Sequence, residues 1–220
     1  RRLDGMKNKL LTQSQLYWLT ILSALVFPLV FSGWGPAIID FWSLFSAVLL
    51  IFLLVALWLD PGLSQLIAGD VFTLGWRKVV LGLVSAVFLY ALFYAGYLLL
   101  PKLLIGSSGQ VARIYALKSG QSQWRLGIFL ALIIAPGEEL WWRGFLQHHW
   151  SRRLGSWPGY WLVAGLYAAV HLTSRNPVLV LAALVCGLVW GYQYLKFKSV
   201  LANIISHICF DLAVFLFLPF

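Results

Sequence analysis

The chain has 220 residues, 61% of them hydrophobic and only 10% charged, with a mean hydropathy of +0.86. Water-soluble domains carry roughly a quarter charged residues and about half apolar ones, so a soluble fold is excluded, and the abundance of Leu, Val, Phe and Trp excludes disorder. The net charge of +9 does not point to nucleic acid, because the bases fall between apolar stretches and form no stripe on one face. A membrane-spanning helix needs roughly 20 apolar residues, which leaves room for about seven. The fold class expected is all-α: a polytopic transmembrane helical bundle.

Met6, the single methionine, is the expected native start, with Arg1 to Gly5 an added leader. No cleavable signal peptide is expected, since the first apolar stretch is long enough to span and no small-residue cleavage site follows. That first span runs from Leu16 to about Ile39, and Gly33-Trp34-Gly35-Pro36 should end its helix near Ser32. The second is Phe41 to Leu59, closed by Asp60-Pro61-Gly62, and the third Val79 to Leu100. From Lys102 to Arg125 the chain turns polar and reads as an extramembrane loop or interfacial helix. The fourth span runs from Leu126 toward Trp150, the fifth from Trp157 to Thr173, the sixth from Pro177 to Leu195 and the seventh from Val200 to Pro219. No internal repeat is visible. Residues 1–125 hold three spans and the polar loop, residues 126–220 a core of four spans, within one continuous bundle.

Loop charges give an orientation. With the N-terminus in the cytoplasm, Arg1, Arg2, Lys7, Lys9, Arg77, Lys78, Arg152, Arg153, Lys196 and Lys198 lie inside. Lys102, Arg113, Lys118, Arg125 and Arg175 then lie outside. The bias favours a cytoplasmic N-terminus, and the membrane expected to hold the chain is a prokaryotic inner membrane. Cys186 and Cys209 sit in apolar segments with no CxxC pair, as buried free thiols do. The 12 tryptophans and 9 tyrosines read as interfacial anchors and packing.

Chemistry concentrates in the second half. Asp4, Asp40, Asp60 and Asp70 fall in the tail or in turns, but Glu138, Glu139 and Asp211 lie inside spans. A charge at mid-bilayer costs on the order of 3 kcal/mol, so each needs a partner or a purpose. Glu139 and Arg143 are four apart and share a helix face, whereas Glu138 is turned about 100° from Glu139 and is free to face a cavity. Pro136-Gly137 loosens the backbone just before them. His207 and Asp211 are also four apart, so the carboxylate can orient the imidazole, and Tyr167 and His171 repeat the spacing. At about 1.5 Å per residue, Glu138 falls about 19 Å below the outer surface and His207 about 13 Å above the inner one. The two share a level, and His171 comes out several ångströms nearer the outside. One site from three helices is feasible.

Glu138-Glu139-Leu140-Trp141-Trp142-Arg143 has the form EExxxR, Tyr167-Ala168-Ala169-Val170-His171 resembles FxxxH, and His207-Ile208-Cys209-Phe210-Asp211 resembles HxxxN. In this order and in consecutive spans, they resemble the CPBP family of intramembrane proteases, relatives of the Ras-converting CAAX prenyl endopeptidase. The resemblance covers about residues 126–220. Tyr167 stands for the usual Phe and Asp211 for the usual Asn, and a carboxylate donates no hydrogen bond unless protonated. The resemblance implies that Glu138 activates a water with help from His171, while His207 and residue 211 stabilise the oxyanion. Glu139, Arg143 and Tyr167 then support these groups. Membrane lipid and a membrane-associated peptide or protein, entering from the membrane or the cytoplasmic side, are the implied partners.

Zinc held by Glu138, His171 and His207 stays open beside the metal-free mechanism, although there is no HExxH and a ligating glutamate cannot also be the free base. Other classes remain in view. Glu139 with Arg143 could be a structural ion pair only, and His148-His149 read as solvated interfacial residues. Gly106-Ser107-Ser108-Gly109 matches the rhomboid GxSG form but lies in a polar loop, and Ala68-Gly69-Asp70, a partial aspartyl-protease signature, also reads as loop. A buried Glu/His/Asp set could instead be a proton or ion relay of a transporter, or belong to a non-catalytic immunity or scaffold protein.

Overall fold

A computed structural model describes residues 11–33 and 39–220. The Met6 start, the basic and acidic residues before Leu11 and the Trp34-Gly35-Pro36 part of the first turn lie outside the described residues. The described chain is helical, 85% by residue, with no strand among the described residues. Five helices are long and apolar enough to cross a membrane. These are α1 (Gln13–Phe31), α2 (Phe41–Leu59), α4 (Trp76–Leu103), α10 (Pro177–Phe197) and α11 (Val200–Leu212), the last prolonged by a π turn, Ala213–Phe217. The fourth and fifth expected spans supply two further crossings. One is the rod formed by α6 (Gln123–Ile128), α7 (Ala135–Glu139) and α8 (His148–Leu154), joined by π turns Phe129–Ile134 and Leu140–Gln147. The other is α9 (Ser156–Ala169). About seven spans therefore describe the bundle.

Helix ends are set by local chemistry. Thr12 forms a capping box with Gln15, Asp40 caps α2 through the N–H groups of Trp42 and Ser43, and Asn176 caps α10 through Leu179. Gly33, at φ +75°, leaves the α1 helix where only glycine turns without strain. Outward faces are apolar, with Trp18, Leu54, Trp58, Val87 and Trp161 more than half exposed, as lipid requires. The larger apolar core runs through both halves of the chain, joining Leu16, Phe27 and Leu49 to Trp141, Trp142 and Trp190, and Tyr194, Val200 and Ile204 form a smaller one.

Polar ties stitch the loops at each end. At the end where the description begins, His149 Nε2 lies 2.8 Å from Asp60 Oδ2. Asp70 there binds Lys78 at 2.7 Å and accepts from the N–H groups of Val200 and Leu201. At the opposite end Arg125 pairs with Asp40 at 2.6 Å and also binds Gln121, while the Trp42 indole donates to Leu117 O. α4 approaches α11 closely: a Cβ on Gly82 would sit 2.7 Å from Ile205 Cβ and 2.8 Å from Ala202 O.

Four expectations change. The polar stretch after α4 holds a helix, α5 (Ser107–Ala116), which takes up part of Gly106-Ser107-Ser108-Gly109, so that segment is not a loop. Asp70 lies in a π turn, Ile67–Val71, that continues α3 (Pro61–Leu66), because its carboxylate is needed to cap α11. His149 is 9% exposed and bonded to Asp60, so it is not solvated. The fifth helix stops at Ala169, and His171 stands in the turn beyond it (φ −86°, ψ −8°) before the short 3-10 turn Leu172–Ser174.

Candidate active site

The two glutamates follow Pro136, whose missing N–H and ring disturb the regular helical ladder. α7 is accordingly a single α turn between two π turns, the kind of bulge that re-aims side chains. Glu138 and Glu139 diverge as the 100° rotation requires. Glu138 lines a cavity of about 340 Å³, together with Tyr167, His171, His207 and Asp211. Glu139 is absent from the lining and fully buried.

Glu139 accepts from three donors. Its Oε1 accepts from Arg143 Nη1 at 3.0 Å and from His207 Nδ1 at 2.9 Å, and its Oε2 accepts from Asn203 Nδ2 at 3.1 Å. A carboxylate only accepts, so Nδ1 of His207 carries a hydrogen, and the same holds for Nε2 where it faces Asp211. Its Nε2 then faces the cavity, 3.7 Å from Glu138 Oε2 and 3.4 Å from Asp211 Oδ2. Asp211 meets the histidine at its outer nitrogen, as the i to i+4 spacing allows, and Glu139 adds a second carboxylate at the inner one. The same bonds join the Glu139–Arg143 pair to α11 through His207 and Asn203. The Trp190 ring stacks on His207 with centroids 3.9 Å apart at 24°. The Arg143 guanidinium lies over Tyr167 at 4.7 Å and Trp190 at 5.5 Å.

Across the cavity, the Tyr167 hydroxyl donates to Glu138 Oε2 at 3.4 Å. His171 Nδ1–H donates to the Tyr167 carbonyl at 2.8 Å, and its ring lies against Phe31 at 4.0 Å. The backbone carbonyl fixes the tautomer and leaves Nε2 with a lone pair. All four expected cavity groups thus come together, with Glu139, Arg143 and Tyr167 beside them. The remaining lining is apolar, drawn from α4 (Leu92, Phe93), α10 (Leu181, Ala182) and, toward the Lys118 end, from Trp42 and Leu117. The lining extends to the α5 end of the bundle.

Zinc would need Glu138, His171 and His207 aimed at one point. No three His, Cys, Asp or Glu side chains among the described residues converge in that way. Both nitrogens of His207 already face carboxylates. The donor set does not fit a zinc centre in this arrangement.

Asn203, Trp190 and Ser206 were missed by sequence reasoning. The Trp190 indole donates to Ser206 Oγ at 2.9 Å, which donates to Ser85 Oγ on α4 at 3.0 Å. Asn203 had a legible signal, since it stands four residues before His207 on one helix face. Trp190 had none, because an aromatic in an apolar helix looks like packing.

The spacing, order and convergence of these groups agree with a match to a known family. Residues 119–213 match the model described as type II CAAX prenyl endopeptidase Rce1-like. This part of the chain is similar to the Rce1-like endopeptidases. It is consistent with the CPBP family and indicates a protease embedded in a membrane. The matched segment contains Glu138, Tyr167, His171, Asn203, His207 and Asp211, whereas α1 and α4, which complete the cavity wall, lie outside it. No curated protein and no solved structure matches the chain.

Proposed function

We propose that this protein is a metal-free intramembrane endopeptidase that cleaves a membrane-associated peptide with a water activated by Glu138. The reading is carried by one observation: Glu138 faces an apolar cavity with His207 Nε2 at 3.7 Å and His171 in the same lining. Glu138 takes a proton from water as its oxygen attacks the scissile carbonyl, and His171 Nε2 orients that water. Charge develops on the carbonyl oxygen, which His207 Nε2–H stabilises, held at its other nitrogen by Glu139. The C–N bond then breaks and the proton passes from Glu138 to the departing amine. Asp211 Oδ2, 3.4 Å from Nε2, accepts that N–H before substrate binds and yields it to the oxyanion, a role that needs no donor of its own. A lipid-anchored peptide suits the apolar lining. The cytoplasmic N-terminus and prokaryotic inner membrane belong to the same proposal. With that orientation the lining leads away from the cytoplasm, so a substrate reaches Glu138 from within the bilayer or from the outer side.

The test is cleavage of a pool of membrane-tethered and prenylated peptides by the purified protein in liposomes, with and without chelator. Cleavage that survives chelator supports the proposal, and cleavage abolished by chelator and restored by zinc replaces it with a metalloprotease. Identical membrane proteomes from cells carrying wild type and Glu138→Gln would sink both.

A further inference from the structure

Asn203 is fully buried in α11 and none of the motifs includes it. Its amide nitrogen donates twice, to Glu139 Oε2 at 3.1 Å and to the Trp190 carbonyl at 2.8 Å. Its Oδ1 is buried with no hydrogen-bond partner among the described residues. Leaving that acceptor unpaired in an apolar interior is costly. A side chain kept only for packing would avoid the cost, so its two donated bonds need a reason. Glu139 supplies it. A buried carboxylate can rotate about its last bond, and two donors on Oε1 leave Oε2 as the atom that fixes the plane. The Asn203 bond to Oε2 sets that plane and so aims Oε1 at His207 Nδ1, 2.9 Å away. The second bond ties the same amide to Trp190, whose ring covers the imidazole face. One asparagine thereby holds both the edge contact and the face contact of His207.

We infer that Asn203 is a positioning residue: through Glu139 and Trp190 it fixes the ring of His207 so that Nε2 points at the space beside Glu138. It touches no reacting atom, and it acts only on the histidine half of the site. His171, held by the Tyr167 carbonyl, is independent of it. The role in turnover rests on the endopeptidase reading above, but the effect on the His207 ring does not.

The experiment compares wild type, Asn203→Leu and Asn203→Gln in detergent and in liposomes. Ring nitrogen NMR of histidine-labelled protein should show the His207 Nδ1 signal displaced in Asn203→Leu and returned toward wild type in Asn203→Gln, which keeps the donor, with His171 unmoved. On a cleavable peptide, Asn203→Leu should lower kcat about tenfold with KM within about twofold, and Asn203→Gln should recover most of the loss. An unmoved His207 signal in folded Asn203→Leu overturns the inference. So does a loss in kcat that Asn203→Gln leaves unrepaired. If Asn203→Leu does not fold, the Asn203→Gln pair of measurements decides: a wild-type signal and wild-type kcat support the inference, and a displaced signal with full kcat overturns it. If wild type cleaves nothing, the endopeptidase reading fails separately, and the ring signal still supports or overturns the positioning of His207.

Discussion

The Nδ1 atom of His207 lies 2.9 Å from Oε1 of Glu139, the glutamate that is not part of the cavity lining. This contact divides the labour between two adjacent residues. Glu139, gripped by Arg143, His207 and Asn203, is fully buried and has no face on the cavity that water would enter. Glu138, reached by the Tyr167 hydroxyl at 3.4 Å, keeps the cavity. Different outcomes follow from replacing each.

Glu138→Gln keeps the size and the hydrogen-bonding capacity of the side chain but removes the base. Peptide cleavage should fall by about 10³-fold, in line with the loss of a general base, while the melting temperature in detergent changes by no more than a few degrees. Activity near wild type in this variant would place the base elsewhere.

Arg143→Met should behave in the opposite way. Arg143 and Glu139 are 1% and 0% exposed, and breaking a buried pair strands the remaining charge at a cost of about 3–5 kcal/mol. The protein should melt at markedly lower temperature or fail to assemble, and adding Glu139→Gln to Arg143→Met should recover part of the loss. A double variant no more stable than the single one contradicts the stranded-charge account.

Gly82→Ala probes the seam between α4 and α11. The added Cβ meets the Ala202 carbonyl oxygen at 2.8 Å, a backbone atom that cannot swing aside. Overpacking of this kind costs about 1–3 kcal/mol. Gly96→Ala, in the same helix with nothing within 4 Å of the new Cβ, should leave the melting temperature unchanged or slightly raised. Equal melting of the two variants would show that α4 is free to slide away from α11.

Acid should loosen the loops before it reaches the site. Burial pushes the Asp60 carboxyl up, but the hydrogen bond and charge of His149 and the Gly62 N–H outweigh it and hold it below its usual value. Burial likewise raises Asp40, and Arg125 and Ser43 together pull it down. A carboxyl depressed in the folded state adds stability that is fully present above its unfolded value, about 3.9, and is lost as pH falls through the folded one. The melting temperature in detergent should therefore drop as pH goes below about 4. Asp60→Asn with Asp40→Asn should lower stability at neutral pH and flatten that drop. An acid limb identical to that of wild type would assign it to other groups.

Composition and charge spacing alone determined that the chain is a helical membrane bundle, because about 20 apolar residues between charges have no other stable use. The i to i+4 pairs were equally legible, since Glu139 with Arg143 and His207 with Asp211 follow from helical geometry within one segment. The motif order made one shared site for Glu138, His171 and His207 an expectation, and the three line one cavity. Long-range partners were not legible. Nothing near Asp60 in sequence announces His149, 89 residues away, and nothing in α10 marks Trp190 as the plate beneath His207. The second carboxylate at His207 was hidden for the same reason. Asp211 is its neighbour along the helix, but Glu139 arrives from another helix at an angle set by the π turns around α7. Which donor reaches which acceptor depends on the rotation and depth of packed helices, and only the tertiary structure decides those.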